Sequence, residues 1–234
     1  MLFNQMRDAV ESIMCEIQSH PFNTGLADGT LAQNKFIFYL EQDGLYLAEY
    51  FRALAFIGAR LHNHEHARKF MQFALEALNA EKDLHSNYLR KCSSHRVEMA
   101  PSCFMYTNYL LRMANIASIE EAVASVLPCF WVYREVSKKM IQTSLNSNPY
   151  QAWIMLYSGE AFDHSVKAAI KILNQLGENS SMEIQKKMIA AFVKATQLEW
   201  MFWDAAWNLE KWKISCEKSE SKVYDNHFKL EDIL

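Results

Sequence analysis

With 234 residues, half of them hydrophobic, the chain can bury one sizeable core, and its net charge of -3 is mixed along its length with no basic block to neutralise phosphates, so nucleic acid is not expected as a partner. Six glycines and four prolines leave few turns and point to long helices. No run of about 18 apolar residues occurs, the first turns carry Arg7, Asp8, Glu11 and Glu16 instead of a secretory leader's apolar centre, and the five cysteines form no CxxC pair; a cytoplasmic protein with free thiols and no membrane partner is expected.

Residues 2 to 19 read as one amphipathic helix that stops before Pro21, because the residue preceding a proline is pushed out of helical geometry. Phe22 to Gly29 reads as a loop. From Thr30 or Leu31 to Leu61 a long helix presents Phe36, Leu40, Asp43, Leu47, Tyr50 and Leu54 at spacings of three and four. Asp43 is a carboxylate in an apolar stripe, costly to bury unless paired, and Tyr46 stands close to it on the same face. It either fixes packing or belongs to a site. His62, His64 and His66 fall in a polar connector, since a three-histidine metal site there would need extended backbone.

Ala67 to Lys91 reads as the next helix, with Glu81 and His85 four apart as an exposed pair or as metal ligands. Pro101-Ser102 opens a helix to Asn115 carrying Tyr106. Ser118 and Glu121 have the spacing of a capping box for a helix running through Pro128 to Leu145. Asn148-Pro149 starts a segment with Trp153 and Tyr157 one turn apart, followed by Glu160, Phe162 and His164 and a stop at Gly177. Ser181 to Ile214 is the last long helix. Its stripe of Met188, Phe192, Ala195, Phe202, Ala206 and Leu209 contains one acid, Glu199, whose apolar neighbours should raise its pKa. Residues 215 to 234 turn polar and read as a loosely held tail after a single domain over 1 to 214. Helices with short connections make an all-α bundle.

Within Leu127-Pro128-Cys129-Phe130-Trp131-Val132-Tyr133 a reactive side chain follows a proline inside an apolar stretch. A helix beginning at Pro128 would put Cys129 in its first turn, where the dipole favours the thiolate; a helix that only bends there would help less. In either case Tyr133 shares a face with Cys129. A buried core cysteine is the alternative. Apolar stripes are thus interrupted by Asp43, Tyr106, Cys129 with Tyr133, and Glu199, with phenols at Tyr46 and Tyr157 nearby. An aromatic-lined cavity with two carboxylates and a thiol suits a flat, nitrogen-rich ring.

The stretches Leu26-Ala27-Asp28-Gly29-Thr30-Leu31, Tyr39-Leu40-Glu41-Gln42-Asp43, Tyr46-Leu47, Pro101-Ser102, Tyr106-Thr107, Leu127 to Tyr133, Trp153-Ile154, Tyr157 and Glu199-Trp200-Met201-Phe202-Trp203-Asp204 resemble, in order and spacing, the TenA/thiaminase II family. The resemblance implies a heme-oxygenase-like multi-helix bundle without heme, assembled as a homotetramer. It implies hydrolysis of a small aminopyrimidine or of thiamin, with no cofactor or metal. Carried over by position, it makes Cys129 the nucleophile and Glu199 the acid/base group. Asp43 would hold the ring's amino edge, and Tyr46, Tyr106, Tyr133, Tyr157 and Phe202 would line the pocket. Cys129 aligns the chain with the family's cysteine-containing branch. Two other readings stand beside this one: a heme-oxygenase-like metal oxidase using Glu81 with His85 or Glu160 with His164, and a non-catalytic pyrimidine-binding protein.

Overall fold

A computed structural model of the chain describes residues 1–88, 97–143 and 147–214, the side chains of 80–88 and 143 excepted. The anticipated helix ends at Lys91 and Leu145, the side chains of Glu81 and His85, and the tail 215–234 lie outside what is described. The described residues form ten helices: α1 (Leu2–Ala9), α2 (Glu11–Ser19), α3 (Pro21–Asp28), α4 (Gln33–Arg60), α5 (His64–Tyr88), α6 (Pro101–Ile116), α7 (Ile119–Thr143), α8 (Gln151–Ser158), α9 (Glu160–Glu178) and α10 (Met182–Asn208). None of them is long and apolar enough to cross a membrane.

Local chemistry explains both the agreements and the departures. Ser118 and Glu121 close the expected capping box, Glu121 N donating to Ser118 Oγ at 3.3 Å and Ser118 N to Glu121 Oε2 at 3.4 Å. The first expected helix is instead two, because Val10 leaves helical geometry at φ -114°, ψ 10°. The expected loop from Phe22 to Gly29 is helix α3. The preceding helix does end before Pro21, at Ser19, but Pro21 is also the N1 residue of α3: its missing donor costs nothing there, His20 Nδ1 accepts from Phe22 N at 3.2 Å, and Gly29 closes the end at φ 78°. Asn148 Nδ2 donates to the carbonyls of Leu26 and Ala27, tying that end to the segment before α8.

The histidine connector is shorter than anticipated. Asn63 Oδ1 accepts from both Glu65 N and His66 N at 3.0 Å, so α5 begins at His64. The segment expected to run from Pro149 to Gly177 is broken into α8 and α9 at Gly159, whose ψ is 157°. Gly177 does not stop α9. It lies within the helix, where an added Cβ would come within 2.5 Å of Leu2 Cδ2, so its role is to let α1 approach α9. Helix α10 ends at Asn208, short of Ile214, with Leu209 left-handed at φ 52°. The chain then lies back on α6: Glu210 Oε2 accepts from Ser102 N at 2.9 Å and Trp212 Nε1 donates to Met99 O at 3.0 Å.

One contiguous apolar core threads these helices. Helix α4 packs along α5 and α6, and α10 along α7, so the acidic positions of α4 and α10 and the cysteine of α7 face the same interior. At about 25 cal/mol per Å² of apolar area removed from water, that burial is the main stabilising contribution.

Candidate active site

Helix α7 continues through Pro128. The proline removes the donor that Ala124's carbonyl would otherwise receive. Cys129 is therefore ten residues past the helix start and gains nothing from its N-terminal dipole, which decides between the two alternatives left open by the sequence. Tyr50 of α4 donates to the carbonyl of Val126 at 2.8 Å, fixing α4 against this turn of α7.

A cavity of about 330 Å³ opens between α4, α5, α7, α8 and α9. Asp43, Cys129, Tyr133 and Tyr157 line it, together with Phe130 of the Leu127 to Tyr133 motif and with Tyr50, Phe73 and Phe162, which the family motifs do not include. Tyr133 and Tyr157 have ring centroids 4.9 Å apart, and Phe130 lies 5.0 Å from Phe73. Asp43 is 3 % exposed, whereas Cys129 is partly exposed because its sulfur faces the cavity.

Glu199, Tyr46, Tyr106 and Phe202 are not on that surface; they form a buried layer next to it. The Tyr106 hydroxyl donates to Glu199 Oε1 at 2.7 Å, and the Tyr46 ring packs 5.0 Å from Tyr106 and 5.6 Å from Phe202. The expectation that Cys129, Asp43 and Glu199 open into one chamber therefore holds for the first two only. Glu199, at 1 % exposure, is coupled to them electrostatically from the layer behind. Helix α10 packs against α7 and α6 and carries Glu199 one turn before Phe202, so both fall in the same buried layer.

Burial pushes the Glu199 carboxyl up to about 8; the Tyr106 hydrogen bond opposes this and the charge of Asp43 adds to it. A proton is therefore held there at neutral pH. The Cys129 thiol is raised well above the usual thiol value, first by burial and then by the charge of Glu199, with the phenols of Tyr46 and Tyr50 offsetting part of it. Although the Tyr46 hydroxyl faces the sulfur, it is buried without a hydrogen bond of full geometry. Tyr39, in the motif but outside the expected site, links the wall together. Its hydroxyl donates to Tyr133 Oη and accepts from Trp153 Nε1, both at 3.3 Å, while its ring stacks on Trp203 at 5.2 Å. Gln42 turns the other way, holding the approach to α6 through Ala100 N and Glu98 O.

Glu160 and His164 are both exposed on α9 and do not line this cavity. No group of three His, Cys, Asp or Glu side chains able to hold a metal converges among the described residues. Tyr50 had a visible signal in the sequence, seven residues after Asp43 on the same stripe. Phe73 and Phe162 had none beyond ordinary core periodicity.

The family model described as TENA/THI-4/PQQC matches residues 7–209. An aminopyrimidine aminohydrolase of Bacillus subtilis is 30% identical over 204 residues, covering 85% of this chain and 86% of that one. A TenA homologue from Pyrococcus furiosus superimposes with a TM-score of 0.84 at 23% identity, over 88% of this chain and 100% of that one. A domain with a heme oxygenase-like fold from Shewanella denitrificans matches with a TM-score of 0.69 at 15% identity, over 89% and 91% of the two chains. The all-α, heme-oxygenase-like architecture is thereby established.

Proposed function

The chain belongs to the TENA/THI-4/PQQC family, and from that premise we propose that it hydrolyses aminopyrimidines in thiamin salvage. The reaction is deamination of 4-amino-5-aminomethyl-2-methylpyrimidine to the 5-hydroxymethyl compound, or cleavage of thiamin into pyrimidine and thiazole. The likeness to the Bacillus subtilis aminohydrolase supports the class of chemistry. The observation that carries the mechanism is a buried carboxyl held at about 8, beside a thiol that faces a cavity also lined by a second carboxyl group.

In this reading the pyrimidine ring lies on the aromatic wall with its amino edge toward Asp43. Tyr133 and Tyr157 form that wall, and the Tyr46 hydroxyl, in the buried layer beside it, positions the Cys129 sulfur. Entry of the ring displaces the Tyr46 layer that separates Glu199 from the cavity, and Glu199 then gives its proton to a ring nitrogen, which makes the neighbouring ring carbon electrophilic. The Cys129 sulfur adds to that carbon while the thiol proton passes to the Glu199 carboxylate, so the thiolate exists only within the step. The electron pair now in the ring expels the 5-substituent: ammonia from an ammonium group, neutral thiazole from a thiazolium. Water adds to the resulting exocyclic methylene and loses a proton. The sulfur then leaves with its bonding pair, and the ring nitrogen's proton returns to the thiol as aromaticity is restored. The overall change is substrate plus water to alcohol plus amine. No step uses a metal or organic cofactor.

Residues 1 to 214 are the catalytic domain in this proposal, 215 to 234 an appended tail, and the working form a cytoplasmic homotetramer. Incubating the protein and its Cys129→Ser variant with a panel of 5-substituted aminopyrimidines, with products identified by mass, tests the reaction. Formation of the hydroxymethylpyrimidine by the parent alone is the expected result; no product from any member, or equal product from both, would refute it.

A further inference from the structure

The cavity has a direction. Asp43 and Tyr133 at its floor are 3 % exposed, while Asn79 of α5 and Ala161 at the start of α9 are exposed at its rim. Between them stands a second acid, Glu76, half-buried on α5 one turn after Phe73. Its two oxygens are held from opposite sides. Ser165 Oγ of α9 donates to Oε2 at 2.9 Å and Gln72 Nε2 donates to Oε1 at 2.8 Å. Each oxygen accepts one hydrogen bond and keeps a lone pair free, so the carboxylate is oriented but not neutralised. Gln72 and Ser165 carry no charge, and none of the described residues lining the cavity is a lysine, arginine or histidine.

The geometry points to Glu76 as a specificity residue that favours pyrimidines whose leaving 5-substituent is cationic, an ammonium or an azolium, over neutral ones. This rests on the reading of the site as an aminopyrimidine hydrolase. With the ring at the floor beside Asp43 and Cys129, the substituent on the reacting side has only the outward course toward α5 and α9, and there it meets Glu76. In a cavity poorer in water than the surface, an uncompensated carboxylate attracts a positive group at close range and gives a neutral amide no comparable gain. The group sequence reasoning passed over is thus the one that would tell an amine from its N-formyl derivative. Its only sequence signal is an acid one turn after a core phenylalanine, which is also the pattern of any solvated helix face.

The test compares wild type with Glu76→Gln and Glu76→Asp. The substrates are 4-amino-5-aminomethyl-2-methylpyrimidine, thiamin and the neutral N-formylaminomethyl counterpart. Affinity is measured by calorimetry on the Cys129→Ser background, and turnover on the reactive enzyme. Glu76→Gln should raise Kd and KM for the two cations roughly fivefold to tenfold and leave kcat and the neutral substrate unchanged; Glu76→Asp should recover part of the loss. Equal losses for charged and neutral ligands, or no change for the cations, would overturn the role of Glu76 while leaving the hydrolase reading intact. Charge-selective binding without turnover would do the reverse, sinking the hydrolase and supporting Glu76. Absence of any pyrimidine binding would overturn both.

Discussion

The Tyr106 hydroxyl donates to Glu199 Oε1 across 2.7 Å, joining α6 to α10 beneath the aromatic layer. This bond opposes the burial that raises the carboxyl, because a donor stabilises the charged form. Tyr106→Phe should therefore push Glu199 above its present value of about 8. The alkaline limb of the kcat/KM profile should move to higher pH, at a stability cost of about 1 to 2 kcal/mol. A limb that stays in place would separate Glu199 from the ionisation that governs rate.

Glu199 also links stability to pH. Its unfolded-state value of 4.5 lies below the folded value of about 8. Below 4.5 the two states are equally protonated; between 4.5 and about 8 the native state holds a proton that the unfolded chain releases, so stability falls as pH rises, then levels off. Glu199→Gln removes that dependence and keeps an acceptor for Tyr106. In urea unfolding the variant should match the parent near pH 4 and exceed it by something on the order of 4 kcal/mol at pH 8, while turnover drops at least ~10²-fold. A gain that does not grow with pH would contradict the raised carboxyl.

Cys129 faces a cavity, yet its thiol is raised well above the usual value. Alkylation by iodoacetamide needs the thiolate. At pH 7.5 the exposed Cys15 should be labelled well before Cys129, and labelling at 129 should accelerate as pH is raised past 9. Peptide mass mapping reads both rates; fast labelling of Cys129 at neutral pH would mean that the thiolate is stabilised before substrate arrives.

Replacing the sulfur should spare the fold. Cys129→Ser should bind the aminopyrimidine within about threefold of the parent and turn it over at least ~10³-fold more slowly. Near-normal turnover would remove sulfur addition from the mechanism.

Gly29 ends α3 at φ 78°, and an added Cβ would approach Pro149 Cδ to 3.1 Å. Gly29→Ala should cost about 1 to 2 kcal/mol from the left-handed backbone alone, measured as a lower urea midpoint, with kcat unchanged. Unaltered stability would show that α3 tolerates another end.

Helical class, the inward stripes of α4, α7 and α10, the capping box at Ser118 and the presence of an acid in two apolar stripes were all readable from the order of residues. Each depends on spacing within a single helix, and spacing is local. What proline and glycine do was readable only in part, because the same residue serves opposite ends: Pro101 opens α6 and α2 ends before Pro21 as expected. Pro21 begins a helix, Pro128 sits inside one, and Gly177 makes room for Leu2 where a stop was expected. The site divides in the same way. Asp43, Tyr106, Cys129, Tyr133, Tyr157 and Glu199 could be singled out one by one. That Asp43 and Cys129 share a cavity surface, that Glu199 lies buried beside it on Tyr106, and that Glu76 stands at its entrance were decided only when α4, α5, α6, α7, α9 and α10 packed together. Distances between side chains on different helices depend on how whole faces interlock, and periodicity along one chain segment carries no information about that.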